Sequence, residues 1–323
     1  MMSEPLLKIE NLCMNYRIYE GILKVLDNIQ FEIGHREKVG LIGESGSGKT
    51  STMRAVMRIL AENASVTDGR ILFKGKDVLK MSQKEVQELR RNHISMIFED
   101  PTSALNPVFT VGYQLMDVIR YSHSKEKLTK KEIEQEAIRS LKDVALPDPE
   151  RILNNYPIML SGGMRQRICI AMTLVCATEL IIADEPGTSL DVTIEDQILR
   201  LIGDLVEEKG TSIILISHAL GTVKGLVDRV SVMYAGNIVE VAPTEELFSE
   251  PLHPYTIGLF KTVPKLTGGG VPEAIEGRIP DYINPPEGCR FSSRCNSVMP
   301  ICRRKSPEFA NVGGRGVACF LYE

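Results

Sequence analysis

Residues 38–51 read KVGLIGESGSGKTS. KVGLIG is an apolar run of strand length, the residues after Lys49 have helical texture, and glycines fill the turn between them. Gly43, Gly48, Lys49 and Thr50 carry the spacing of a phosphate-binding loop, G-x4-G-K-T. Glycines there let successive backbone N–H groups close around phosphate oxygens. Lys49 is expected to reach the β- and γ-phosphates, and the Thr50 hydroxyl to hold Mg²⁺. The helix that follows adds its N-terminal dipole. By average residue frequencies the pattern arises by chance in roughly one chain per hundred of this length. The strand–loop–helix context lowers those odds, so Gly43, Glu44, Ser45, Gly46, Ser47, Gly48, Lys49, Thr50 and Ser51 form a candidate ATP-binding set.

Further strands are read at 93–98 (HISMIF), 180–184 (LIIAD), 212–217 (SIILIS) and 229–234 (RVSVMY). Amphipathic segments between them predict an α/β core with parallel strands. Residues 110–176 carry no strand pattern and are read as an inserted helical region, with capping-box spacing at Thr129 and Glu132. Ser82 and Glu85 repeat that spacing. LIIAD ends in Asp184, with Glu185 next, which places two carboxylates at the mouth of the sheet. Asp184 suits a Mg²⁺ shell, and Glu185 suits a general base that polarises an attacking water. At 160–167, LSGGMRQR opens a helix with Ser161, Gly162, Gly163 and Met164, a second N-terminus ready for an anion.

Taken in order, the phosphate loop, LSGGMRQR, ADEP, SLD and a strand ending in Ser217-His218 resemble the nucleotide-binding subunit of an ABC transporter over about residues 6–260. The resemblance implies a P-loop ABC-type ATPase core with a RecA-like sheet and an inserted helical subdomain (about 100–176), the ATPase domain spanning 1–262. It implies that two such domains sandwich two ATP molecules, each phosphate loop facing the other's Ser161–Met164. Asp191 would lie at the dimer seam, His218 at the γ-phosphate and attacking water, and Tyr16, rather than the nearby Tyr19, on adenine. The sequence departs from the family's usual residues at Glu99 (glutamine, a Mg²⁺ contact), Gly187 (threonine) and Ala219 (aspartate). A carboxylate at Glu99 adds negative charge beside Asp184 and Glu185.

Beyond residue 262 the texture changes. KLTGGGVPE (265–273) reads as a hinge, and RIPDYINPPEG is too rich in proline for a helix or central strand. Residues 263–323 are expected to be a loop-rich appendage with little core. Four of the seven cysteines fall there, Cys289, Cys295, Cys302 and Cys319. Their separations fit a zinc site poorly, since such sites begin with C-x2–4-C. Iron–sulfur clusters also take four thiolates, at more varied spacings. Arg290, Arg294, Arg303, Arg304, Lys305 and Arg315 are expected to offset the charge of thiolates and cluster. SEPLHPYTIGLF followed by PEGCRFSSRC is similar to the tail of the peptide and nickel importer ATPases. That resemblance implies a 4Fe–4S cluster on these cysteines in some members, two membrane permease subunits, an extracytoplasmic solute-binding protein and a second ATPase subunit. Cys13, Cys169 and Cys176 are read as core thiols.

With 323 residues, 43% of them apolar, the chain can bury a sizeable core. Its net charge of −4 gives no pull toward nucleic acid. The acidic MMSEPLLKIENL lacks the pattern of a secretory signal, and no apolar run approaches a bilayer span. The expectation is a peripheral ATPase at the cytoplasmic face of the membrane. The rival readings are a soluble ABC ATPase acting on DNA or ribosomes, without the coiled coils or basic arms that role uses, and a regulatory ATP-binding module with a redox-sensing tail.

Overall fold

The computed structural model describes residues 4–124, 128–176, 179–188, 190–218, 220–262 and 274–323. The hinge read at 265–273, Ser189 of the SLD stretch and Ala219 lie outside the described residues. The strands are β1 (Leu7–Ile18), β2 (Gly21–Ile33), β3 (Lys38–Ile42), β4 (Ala64–Phe73) and β5 (Lys76–Asp77) in the first eighty residues. Next come β6 (Ile94–Ile97), β7 (Leu180–Asp184) and β8 (Ser212–Ser217). The last are β9 (Arg229–Tyr234), β10 (Asn237–Pro243), β11 (Ala310–Val312) and β12 (Arg315–Val317). The five strands read from sequence correspond to β3, β6, β7, β8 and β9.

The chain divides into two compact units. One comprises Met1–Gly34, Lys38–Lys80 and Ile216–Glu323; the other comprises His35–Glu37 and Met81–Leu215. In the first, β2, β1, β4 and β5 form an antiparallel sheet in that order. The same unit pairs β3 parallel with β9, and β9 antiparallel with β10. β1 and β2 escaped the sequence reading although β1 buries Leu7, Ile9, Leu12 and Met14. A register shift between Ile9 and Leu12, with Asn11 at a φ of 51°, breaks the strict alternation that marks a half-buried strand.

Residues 274–323 belong to the first unit. They are loop-rich, as expected, but they are not a coreless appendage. β11 and β12 form a hairpin whose second strand pairs antiparallel with β10, Glu240 opposite Val317 and Val241 opposite Gly316. β10 otherwise has an open edge, and β12 satisfies its backbone groups. Phe291 and Val317 are buried, and Phe291 packs edge-on against Tyr234 with ring centroids 5.0 Å apart.

In the second unit, fully buried β6 and β7 run parallel, Ile94 opposite Leu180. Its described residues between 110 and 176 hold helices Val111–Ser122, Lys130–Asp143, Pro149–Leu153 and Gly162–Cys176, with no strand among them. Both capping boxes form. Ser82 and Glu85 start helix Gln83–Asn92, and Thr129 and Glu132 start helix Lys130–Asp143. Each satisfies two orphan N–H groups reciprocally. The exposed Glu132 carboxyl lies below its usual range because it accepts from the Thr129 N–H and hydroxyl.

Candidate nucleotide site and cysteine cavity

In the first unit, buried β3 delivers the chain to Gly43, and the helix Lys49–Met57 carries it away. The turn between them needs glycine for steric reasons. Gly43 has φ +153°, and a Cβ there would stand 2.1 Å from the Met233 carbonyl oxygen. Gly48, at φ +106°, would meet Leu26 at 2.8 Å. Gly46 has φ +78° with open space around it. No side chain caps the helix at Gly48, so its first N–H groups face the loop. Lys49 is 4% exposed and closes the loop on itself, Nζ donating to the carbonyls of Gly43 (2.8 Å) and Glu44 (3.1 Å). Ser47 buries its hydroxyl with no hydrogen-bond partner. The Tyr16 hydroxyl lies 3.3 Å from the Ser51 hydroxyl, whereas Tyr19 is fully exposed at the β1–β2 turn. His218 follows β8 directly and is exposed. Thr50 is half-buried in the first turn of the helix.

The second unit holds the remaining candidates. Asp184 ends β7 and is 3% exposed, and Glu185 turns the chain with φ +47°. A left-handed glutamate is uncommon and marks a sharp turn of the backbone at the end of β7. The Thr188 hydroxyl donates to the Glu185 carboxylate at 3.1 Å. Gly187 admits the next helix closely, since a Cβ there would lie 2.5 Å from Glu195 Cγ. Asp191 is the N-cap of helix Val192–Lys209, its Oδ1 accepting from the Ile194 N–H at 3.0 Å. Ser161 Oγ accepts from the Met164 N–H at 3.3 Å. Gly162 and Gly163 bring that helix start against Leu190 and Ile194, at 3.0 and 2.9 Å from the missing Cβ atoms. Glu99 is exposed two residues past β6, and its neighbour Asp100 caps the helix Pro101–Ala104. The same unit exposes Val108, Phe109, Tyr113, Tyr156, Ile158 and Met159.

Cys289, Cys295, Cys302 and Cys319 line one narrow cavity, together with His253, Phe291, Met299 and Phe320. No group of three or more His, Cys, Asp or Glu among the described residues is placed to hold a metal ion. The four cysteines thus share a cavity, but they are not placed as a metal site. Burial pushes the Cys289 thiol up to about 11, and burial also raises Cys295 and Cys319. Cys169 is buried and pushed up by burial to about 12, Cys176 to about 11, and Cys13 is half-buried.

Three of the six basic residues expected beside the thiolates are engaged elsewhere. Arg294 makes a bidentate pair with Glu44 of the phosphate loop, at 2.9 and 3.2 Å. Arg290 donates to the carbonyls of Ala235 and Lys24 and stands 3.4 Å from Asp27. Arg315 donates to the Glu250 carbonyl and lies 3.6 Å from Glu246. Arg303, Arg304 and Lys305 are exposed. These long-range pairings leave no local sequence signal, which is why charge counting misplaced them.

Residues 26–188 match the ABC transporter family, and residues 239–302 match the family described as the oligopeptide/dipeptide transporter C-terminal region. The dipeptide transport ATP-binding protein DppD of Bacillus subtilis is 44% identical over 94% of this chain and 90% of its own length. The oligopeptide transport ATP-binding protein OppD of Salmonella typhimurium is 40% identical over 98% and 94%. CbiO1 of Clostridium perfringens, part of an ABC transporter complex, shares the fold with a TM-score of 0.63 at 29% identity, over 77% of this chain and 92% of its own. A dimeric ATP-binding cassette solved in a post-hydrolysis state with ADP and Pi superposes with a TM-score of 0.66 over 74% of this chain and 98% of its own. At 24% identity that match speaks for the fold alone. No described helix is long and apolar enough to cross a membrane. The phosphate loop, the strand-end carboxylates and the matched C-terminal region agree: the chain is an ATPase that belongs to the ATP-binding subunits of the ABC transporters, in the oligopeptide/dipeptide group.

Proposed function

We propose that this chain hydrolyses ATP to power the import of peptides or similar small solutes across the cytoplasmic membrane, from its cytoplasmic face. The observation that carries the ATP site is the loop Gly43–Thr50, whose glycine backbone, uncapped helix start and buried Lys49 form a phosphate cradle. Peptide import rests on the C-terminal region and the similarity to peptide transport ATP-binding proteins. The partners are a second ATPase subunit, two permeases and an extracytoplasmic solute-binding protein. The exposed apolar residues Val108 and Phe109, which follow the loop 99–107 in the chain, support a permease docking there, and the same unit exposes Tyr156, Ile158 and Met159.

The roles follow from side-chain chemistry. Glu185 takes a proton from water as its oxygen attacks the γ-phosphorus and the bond to the bridging oxygen breaks, releasing ADP and phosphate. The Thr188 hydroxyl orients that carboxylate. Lys49 leaves its two carbonyl partners for phosphate oxygens and offsets their growing charge. His218 contacts the γ-phosphate and the attacking water. Thr50, Asp184 and Glu99 would hold Mg²⁺, which neutralises charge on the phosphates. Tyr16 stacks on adenine, Ser161–Met164 bind the partner's nucleotide, and Asp191 lies at the dimer seam. Cys289, Cys295, Cys302 and Cys319 would hold a 4Fe–4S cluster that staples the tail.

Cells lacking the chain should lose uptake of labelled peptides and regain it with the intact protein but not with Glu185→Gln. Purified Glu185→Gln should bind ATP while turnover falls by at least about a hundredfold. Unchanged hydrolysis would remove Glu185 from its role, and unaltered uptake in the deletion would sink the transport reading. Protein purified without oxygen should carry about four iron and about four sulfide per chain. Zinc alone, or no metal, would overturn the cluster.

A further inference from the structure

Within the first unit the segment that carries the cysteines reaches the phosphate loop at several points. The Arg294 side chain is 5% exposed, and its guanidinium grips the Glu44 carboxylate through both Nη atoms. Its remaining donors go to the carbonyls of Glu276 and Ile275 and to the Tyr234 hydroxyl. The Tyr282 hydroxyl donates to the Gly46 carbonyl at 2.7 Å. Arg290 fixes Ala235, and the next residue, Gly236, donates its N–H to the Ser47 carbonyl at 2.8 Å. From beneath, the Tyr255 hydroxyl accepts the Glu44 N–H at 2.8 Å. Tyr255 stands against Phe291 and Tyr234, and Phe291 lines the cysteine cavity.

Glu44, Gly46 and Ser47, three of the four residues from 44 to 47 in a loop that binds through its backbone, are thus each fixed by a distant partner. Arg290 and Arg294 are the immediate neighbours of Cys289 and Cys295 in the chain. We propose that Arg294, seconded by Tyr282, is a positioning residue for the phosphate-binding loop: it sets Glu44 and Gly46 so that the loop's N–H groups stay aimed at the nucleotide, and it ties nucleotide affinity to the folding of the cysteine-bearing tail. This rests on the reading of Gly43–Thr50 as the ATP site. A planar guanidinium in a bidentate, partly buried pair fixes both the position and the orientation of its partner, which a point charge does not. An unfixed loop must be ordered by the ligand itself, which lowers affinity without changing the chemical step.

The test uses the full chain, calorimetric titration with MgATP and steady-state phosphate release. Arg294→Ala should raise the Kd and KM for MgATP roughly tenfold, with kcat at saturating ATP within about twofold of the parent. A merely structural loss would instead lower the active fraction and leave KM in place. Arg294→Lys should recover only part of the affinity. Glu44→Gln should weaken binding by itself yet add little on top of Arg294→Ala, because the two act through one contact. Tyr282→Phe removes a single hydroxyl and should raise Kd about threefold; it decides the matter should Arg294→Ala fail to fold. Affinities of Arg294→Ala and Tyr282→Phe within twofold of a parent that binds MgATP, or fully additive losses in the double variant, would overturn the proposal alone. A parent chain that binds no MgATP would sink the nucleotide-site reading together with it.

Discussion

Two helices of this chain begin on glycine, and they do so for different physical reasons. At Gly43–Lys49 all three glycines adopt positive φ, and Gly43 and Gly48 leave no room for a Cβ beside Met233 and Leu26. At Ser161–Met164 the glycines sit in the helix itself, and small size alone lets the helix approach Leu190 and Ile194. The first turn is held by buried Lys49 and by a tail that returns from residues 282–294. The second is capped by its own Ser161. A glycine pair before a helix therefore signals a backbone need in one place and a close approach in the other. Only the former joins left-handed backbone to an uncapped helix start.

The widest gap should appear on adding one methyl group to each. Gly43→Ala drives Cβ into a backbone carbonyl at an unsuitable φ and should cost about 3 kcal/mol or more, with loss of ATP binding. Gly162→Ala should shift stability by within about 1 kcal/mol, because alanine favours a helix and the nearest atom is a side-chain methyl. On the role proposed for Ser161–Met164 toward a partner's nucleotide, ATP turnover should nonetheless fall. Urea unfolding and phosphate release measure both, and equal stability losses would erase the distinction.

Acid should weaken the first region through His253. This residue is 1% exposed, and burial holds its imidazole down to about 3. Its unfolded counterpart takes up a proton near 6.5. Between those values the unfolded chain binds a proton that the folded chain does not, so stability falls as pH drops below about 6.5. The slope approaches about 1.4 kcal/mol per pH unit. His253→Asn can still accept the Tyr255 N–H that His253 caps, but cannot titrate. Its unfolding free energy should lose less between pH 6.5 and 5 than the parent's, and identical profiles would clear His253 of this role.

The smallest contrast lies between two tyrosines. Tyr16→Ala should weaken ATP binding roughly fivefold through lost ring stacking. Tyr19→Ala, on a fully exposed side chain, should leave it unchanged. The reverse ranking would move the adenine contact.

Much of this was legible in the sequence because local physics demanded it. Gly43 and Gly48 are where only glycine fits, β7 is an apolar run ending in Asp184, and both capping boxes announce their helices. β1 was lost to a bulge at Asn11 that hides its alternation. The partners of Arg290 and Arg294 were lost for another reason. A basic residue among cysteines reads as a counter-charge, and nothing near position 294 reveals a carboxylate 250 residues earlier. The tail's docking on β10 was hidden likewise, since β11 and β12 are three residues each and too short to show a period.

That separation also sets a timetable for synthesis. A nascent chain completes the phosphate loop early, but Arg294 leaves the ribosome only after 250 more residues, or roughly ten to fifty seconds of translation. Until then the loop lacks the grip on Glu44 and Gly46. A ribosome-bound chain truncated before Tyr282 would carry a finished loop without its long-range clamp, and nucleotide capture would mature only with the tail.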